Sequence, residues 1–346
     1  MRMLIQSEEI QKIIYAMQKG KLMKYIERLR NKLSKQREVY ERLKLNDSAT
    51  VCYHEKIDKE WGVGDANYTN RLRLTYYLLY EKINDEAAFA YLFQEDLKDR
   101  ENNDFQGIGT TIQILTYLLQ KHNGNHQYDT LFERAQNANF DCACGYNRNI
   151  TMDEDIESND LLDCIYMCED LEYKDIMELL VEEWKQTVTA WNENNRSMLI
   201  QFYTFLGKEA DNETLLWEQL ASKRTAQKST GLLSAYRDII QYYIKTEQYS
   251  RAETVLKEAV QVEGIEEIKR IRLFDDFLEA ACTLVSNGAE DAEGIWNWAK
   301  TELKTQEEMY GNLYKKAIDA AKTMGDLYAV QLEKAYFEWR EKVGLS

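Results

Sequence analysis

Proline is absent from all 346 residues, where average usage of about 5% would place roughly seventeen. A proline inside a helix removes an N–H donor and clashes with the preceding turn. Its absence takes the strongest helix breaker out of the whole chain. Long apolar runs are also missing, and no stretch approaches the ~18 consecutive apolar residues of a membrane-spanning helix. Histidine is scarce, with only His54, His122 and His126. Glycine forms no phosphate loop, and Gly107-Ile108-Gly109 lacks both the third glycine and the preceding strand of a dinucleotide fingerprint. No serine or cysteine sits in a recognisable nucleophile elbow. These absences point away from catalysis and from cofactor binding.

Leu, Glu, Lys, Gln, Ala and Tyr are abundant instead, and 44% of residues are hydrophobic against 30% charged. That balance supports a sizeable core and lies outside the signature of disorder. The expected class is all-α, with helices joined by short polar turns. The start, Met1 to Ile5 followed by Gln6-Ser7-Glu8-Glu9, lacks the basic end, long apolar run and cleavage site of a secretory signal. Six cysteines in so long a helical chain do not suggest disulfide staples. A cytoplasmic location is therefore expected.

The formal charge of −16 is unevenly spread. Residues 1–50 hold twelve Lys and Arg against six Asp and Glu, a net of +6 that leaves −22 on the rest. The densest acidic stretch, 151–190, has thirteen carboxylates and two lysines. Phosphate binding needs clustered cations, so nucleic acid is not the expected partner. A basic protein or peptide is.

Helical periodicity runs from the start. Ser7-Glu8-Glu9 caps a helix through Met17 that ends at Gly20, and 21–44 continues with Leu22, Tyr25, Ile26, Leu29, Leu33, Tyr40 and Leu43 on one side. A loop is expected over 45–67, then helices over 70–83, 85–98, 105–121 and 128–137, the third carrying Ile108, Ile112, Leu115 and Leu119. The polar interruption 138–157 divides an N-terminal helical region, 1–137, from a repeat region, 158–346. In the latter, turns fall at Tyr173, Asp211, Tyr249, Asn287 and Gly325, each 38 residues after the last. Eleven residues beyond three of them stands an aromatic: Trp184, Trp298 and Tyr336. Ser222 and Val260 occupy the other two positions.

One copy carries a family pattern. Within 232–264, Tyr236, Ile239, Tyr243 and Tyr249 take the large positions, Ala252 and Ala259 the small packing positions, and Leu256 the apolar site between them. This segment resembles a tetratricopeptide repeat, with Ile240 in place of the small residue of the first helix and Gly264 in place of proline. The resemblance implies an α-solenoid of degenerate helical hairpins, about seven or eight in number if continuous. Its concave face would bind protein or peptide segments.

Candidate functional residues follow. Tyr76, Tyr77, Tyr80, Tyr242, Tyr243 and Tyr310 are candidates for a groove, since tyrosine offers rigid contact area with a hydrogen-bonding tip. Glu169, Asp170, Glu172 and Asp175 flank one hairpin turn and would hold a nearby groove at negative potential. Cys142-Ala-Cys144 and Cys164-x3-Cys168 are the only grouped soft ligands, but their gaps of one and three differ from the two of common zinc clips. Buried thiols are expected there, with structural zinc as the alternative. His122 and His126 flank Asn123-Gly124-Asn125, which reads as a turn. Asp153, Glu154, Asp155, Glu157 and Asp160 lack the glycine of a calcium loop; Ser158 or Asp160 should cap the next helix. The functional expectation is a non-catalytic scaffold or adaptor that needs no metal or cofactor. The alternatives are a bacterial regulator or immunity-type inhibitor capturing a basic partner, and a zinc protein.

Overall fold

The computed structural model describes residues 27–58, 62–103, 107–152, 160–225, 229–306 and 309–343. The helix expected over 7–17, with Leu22, Tyr25 and Ile26, lies outside these residues, as does the acidic run 153–158. Among the described residues the fold is all-α apart from one two-stranded sheet. Contacts divide the chain into two compact units, Met1–Thr189 and Ala190–Ser346.

In the first unit a helical stretch over 27–33 precedes α1 (Gln36–Lys44), β1 (Glu55–Asp58) and β2 (Gly62–Asp65). Then come α2 (Tyr68–Tyr80), α3 (Glu86–Asn102), α4 (Thr110–Gln120), α5 (Asp129–Gln136), α6 (Phe140–Gly145), α7 (Leu161–Asp170) and α8 (Lys174–Thr187). The expected loop 45–67 thus holds an antiparallel hairpin with Ile57 opposite Val63. Its base is fixed by Asp65, whose carboxylate accepts from the backbone N–H groups of His54 and Asn67 at 3.0 and 2.9 Å. Ile112, Leu115 and Leu119 are fully buried on α4, as their spacing predicts. That helix starts at Thr110 rather than 105. Gly109 precedes it with φ of +82°, and a Cβ there would lie 3.2 Å from the Arg100 guanidinium carbon.

The segment 138–157 is not where the units part. It contains α6, capped by the Asn139 side chain accepting the Cys142 N–H at 2.8 Å. Beyond it, the Tyr146 hydroxyl bonds the Thr116 hydroxyl of α4 at 2.8 Å in the interior. Arg73 of α2 donates to the Leu171 carbonyl at 2.7 and 2.9 Å, and Tyr80 donates to Met167 Sδ at 3.5 Å. These bonds hold the α7–α8 hairpin to the N-terminal helices, so the first unit runs on to Thr189. Asp160 caps α7, accepting the Leu162 N–H at 2.8 Å.

The second unit contains α9 (Glu193–Leu206), α10 (Asn212–Thr225), α11 (Ser229–Lys245), α12 (Tyr249–Ala259), α13 (Arg272–Ser286), α14 (Ala292–Leu303), α15 (Gly311–Thr323) and α16 (Tyr328–Lys342). They pair as consecutive hairpins, and α11 also packs on α13, and α13 on α15. Tyr236, Ile239, Tyr243, Ala252, Leu256 and Ala259 lie in one hydrophobic cluster with Phe274, Phe277 and Leu278. Fully burying such a leucine or phenylalanine contributes about 1.5–3 kcal/mol. Ala252 and Ala259 are fully buried, where a side chain of one carbon lets two helices approach.

Each hairpin turn is closed the same way. Glu172, Gly207, Glu247, Gly288 and Gly325 take left-handed φ between +53° and +76°. The next residue's N–H then reaches back five positions, as in Tyr173 to Cys168, Gln248 to Tyr243 and Asp326 to Ala321, each at 2.8 Å. This satisfies carbonyls that the helix end leaves open. Gly264 does something different. It has φ of +97°, a value proline cannot take, and a Cβ would lie 2.6 Å from Ser229. The chain turns there into a short 3-10 segment, Ile265–Ile268, which lengthens the link to α13.

Neighbouring hairpins are tied by polar side chains. Glu213 of α10 accepts from the Tyr243 hydroxyl at 3.0 Å and from Arg251 Nη1 at 3.0 Å. Buried Glu253 of α12 accepts the Glu290 and Asp291 N–H groups of the next turn at 2.8 and 3.2 Å. Asp326, at the last turn, accepts from Trp296 Nε1 and Lys300 Nζ of α14.

Candidate partner-binding face

The first helices of two successive hairpins, α11 and α13, carry a connected acidic stripe, and Asn312 of α15 borders it. On α13, Arg272, Asp275, Asp276 and Glu279 recur at three- and four-residue steps and so share one face. On α11, Arg237 holds Asp238 Oδ1 at 2.7 Å and reaches across to Asp276 Oδ2 at 3.1 Å. Asn312 of α15 donates to Glu279 Oε2 at 2.7 Å. Arg272 lies over the Tyr310 ring, 3.1 Å from its centroid. The stripe therefore links three helices through side chains alone.

Its protonation chemistry is perturbed. Burial pushes the carboxyl of Asp238 above the ordinary range against the opposing pull of Arg237. Burial does the same to Asp275 and Glu279 against Arg272. Partial desolvation makes these carboxylates costly to ionise, and such perturbed groups concentrate at functional sites. Sequence reasoning missed this stripe. Its spacing was legible, but an acidic row on a helix reads as a solvated face until a neighbouring helix covers its edges.

The expected groove tyrosines divide. Tyr242 is half-buried beside the stripe and lines a cleft between α9, α10 and α11. Tyr310 lies under Arg272. Tyr243 is fully buried, accepting from Trp217 Nε1 at 2.9 Å. In the first unit, Tyr76 and Tyr77 are 9% and 7% exposed, so they are core rather than groove. Tyr80 stacks on Tyr76 with centroids 6.0 Å apart, and Arg30 covers it at 5.2 Å. Aromatics spaced for a helix face served packing at most of these positions.

The expected acidic turn is largely matched within its own unit. Asp175 forms an ion pair with Lys32, which holds its carboxyl below the usual range. Lys32 also lies over the Tyr173 ring at 4.5 Å. Glu172 accepts from Thr69 at 3.2 Å and stands 3.7 Å from Arg73, and Asp170 accepts from Thr110 at 3.1 Å. Glu169 is half-buried on α7. Lys32, from the basic start of the chain, thus meets Asp175 of the acidic stretch within the same unit.

The four grouped cysteines are not assembled. Among the described residues no group of three or more His, Cys, Asp or Glu is placed to hold a metal. Cys142, Cys164 and Cys168 are buried and Cys144 is exposed. Burial pushes the Cys164 thiol up to about 11 and raises Cys142 and Cys168 as well, which keeps them protonated. His122 and His126 stand at the expected turn, beside Asn84 at 2.9 Å and Asp129 at 3.0 Å respectively.

A second feature also went unread in the sequence. Arg71 is fully buried, bound to Asp65, to Asp96 at 3.1 Å and to the Val51 carbonyl at 3.2 Å. Arg100 binds Asp99 and the Gly107 carbonyl beside it. Tyr68 lies under both guanidiniums, at 6.0 and 5.4 Å. This cluster fastens the β-hairpin and α2 to α3. No family model, curated protein or solved structure matches the chain.

Proposed function

We propose that the second unit is a degenerate tetratricopeptide-like solenoid that binds a basic protein or peptide segment along its first-helix face, without catalysis. The observation that carries this reading is the stripe of Asp238, Asp275, Asp276 and Glu279, with three of its carboxyls raised by burial. A cationic segment laid along it would relieve that cost. Packing of α11 on α13 and α13 on α15 supports the solenoid part of the reading. The six unpaired cysteines fit a reducing, cytoplasmic setting.

The test uses a fluorescein-labelled (Lys-Ala)8 peptide and its (Glu-Ala)8 counterpart, followed by anisotropy. The basic peptide should bind, the acidic one should not, and binding should weaken as salt rises. The variant D238N/D275N/D276N/E279Q should lose about tenfold or more in affinity while keeping its helical circular dichroism. Binding indifferent to both salt and this variant, or preference for the acidic peptide, defeats the proposal.

A further inference from the structure

Beside the stripe lies a cleft of about 350 Å³, formed where α9, α10 and α11 meet. That volume suits a small group rather than a helix. Ile200, Leu216 and Tyr242 supply an apolar wall, and Asn212, Asp238 and Gln241 supply polar groups. Asn212 is the unusual one. It is 3% exposed, and its Nδ2 donates to the Ile200 carbonyl at 3.2 Å and meets the Thr204 hydroxyl at 3.0 Å. Only the nitrogen can donate to a carbonyl, so the amide orientation is fixed. Its Oδ1 has no hydrogen-bond partner. A buried acceptor left open carries an unrecovered desolvation cost, which a donor entering the cleft would offset.

Asp238 points to the charge of that donor. Both contacts from Arg237 fall on Oδ1, and among the described residues no hydrogen bond is placed on Oδ2. The cleft's own cation, Lys245, is engaged by Glu209 at 3.1 Å. The required ligand is therefore a positively charged donor on an alkyl stem that can lie against Ile200, Leu216 and Tyr242. A primary ammonium fits better than a guanidinium. It is a compact charge with three donors, while the planar fork of arginine needs a carboxylate presented two-pronged.

We propose that this cleft is a lysine pocket: it receives the ammonium-bearing side chain of a lysine in the bound segment, with Asn212 Oδ1 and the Asp238 carboxylate as acceptors. This rests on the peptide-binding reading above, and adds to it a fixed anchor point. The same chemistry also belongs to a free alkyl diamine, so the probes separate the two sources.

The probes are the blocked peptide Ala-Ala-Lys-Ala-Ala, its norleucine counterpart and cadaverine, titrated into isotope-labelled full-length protein while the Asn212 side-chain amide resonance is followed. The lysine peptide should shift that signal saturably, norleucine should leave it in place, and cadaverine should bind at least several-fold more weakly. Asn212→Leu removes the acceptor. Gln241→Trp closes the mouth from an exposed position and leaves the Asn212 bonds intact. Both should weaken (Lys-Ala)8 binding several-fold and abolish the lysine-peptide shift. If (Lys-Ala)8 binds in a salt-dependent way but ignores both variants, the pocket is overturned and the acidic face stands. If (Lys-Ala)8 does not bind the unaltered protein, the face itself fails, and the anchor with it. Cadaverine binding as tightly as the peptide overturns the peptide source. A norleucine peptide that shifts the resonance equally overturns the ammonium.

Discussion

The Trp296 indole N–H on α14 donates to Asp326 Oδ2 at 2.9 Å, so a side chain of one hairpin holds the turn of the next. Lys300 Nζ reaches the same oxygen at 2.6 Å, and the Tyr328 N–H bonds Oδ1 at 2.9 Å. Hydrogen bonding to Lys300, the Tyr328 backbone and Trp296 pulls the Asp326 carboxyl down from 3.8 to about 2. A carboxyl depressed on folding stabilises the fold above its unfolded pKa, and that contribution disappears as pH falls through the folded value. Asp326→Asn should therefore cost about 1–2 kcal/mol near neutral pH, after allowance for solvent screening. The gap from the unaltered protein should shrink between about pH 4 and pH 2. Urea titrations across that range read it directly, and a gap independent of pH would exclude this origin.

Arg71 should be the most sensitive position in the first unit. Arg71→Met leaves Asp65 buried without its cation and Asp96 with only Arg100, 3.8 Å away, which should cost about 3–5 kcal/mol. Adding Asp65→Asn and Asp96→Asn removes the stranded charges and should recover part of that loss. Chemical denaturation of the single and triple variants decides it. A triple variant less stable than the single one would show that hydrogen bonding, not charge, holds the cluster.

Ala252 is fully buried in the α11–α12 hairpin. Ala252→Leu should overpack it and cost roughly 1–3 kcal/mol. An unchanged denaturation midpoint would mean the helices have room that the packing denies.

Gly264→Ala should lose at least about 1 kcal/mol, because a side chain is strained at a φ of +97° and its Cβ would meet Ser229 at 2.6 Å. Gly288→Ala, at +76° with nothing within 4 Å of the new carbon, carries the backbone part alone. The difference between the two melting temperatures isolates the clash.

Peptide binding should fail early on acidification. Asp238, Asp275 and Glu279 have raised carboxyls, so they take up protons at a higher pH than free side chains do. Affinity for (Lys-Ala)8 should start to fall above the ordinary carboxylate range. A profile that bends only near pH 4 would place the binding elsewhere.

What the sequence disclosed was local. Turns announced themselves at Gly325 and Asn287 because a helix end needs a left-handed residue or a polar cap, and such residues are few. Ile112, Leu115 and Leu119 revealed their buried face through spacing alone. The missed features depend on distant partners. Asp65 and Asp96 lie on either side of Arg71 in sequence, and nothing near any of them signals burial. The helix α6 is too short, with Cys-Ala-Cys-Gly at its end, to show a period. Tyr76 and Tyr77 looked like groove residues because tyrosine suits core and surface equally, and only the packing around them, with Tyr80 stacked on Tyr76, decided between the two. The acidic stripe was visible residue by residue, but its meaning depends on Arg237 bridging to a helix almost forty positions away.

The ties through Glu213, Glu253 and Asp326 have a mechanical consequence. Each crosses one junction between successive hairpins of the second unit, so no hairpin there is held by its own turn alone. Stretched from its two ends between optical traps, this unit should yield in a single rip rather than shed its hairpins one at a time. Cutting the middle tie, by Glu253→Ala, should split that rip in two.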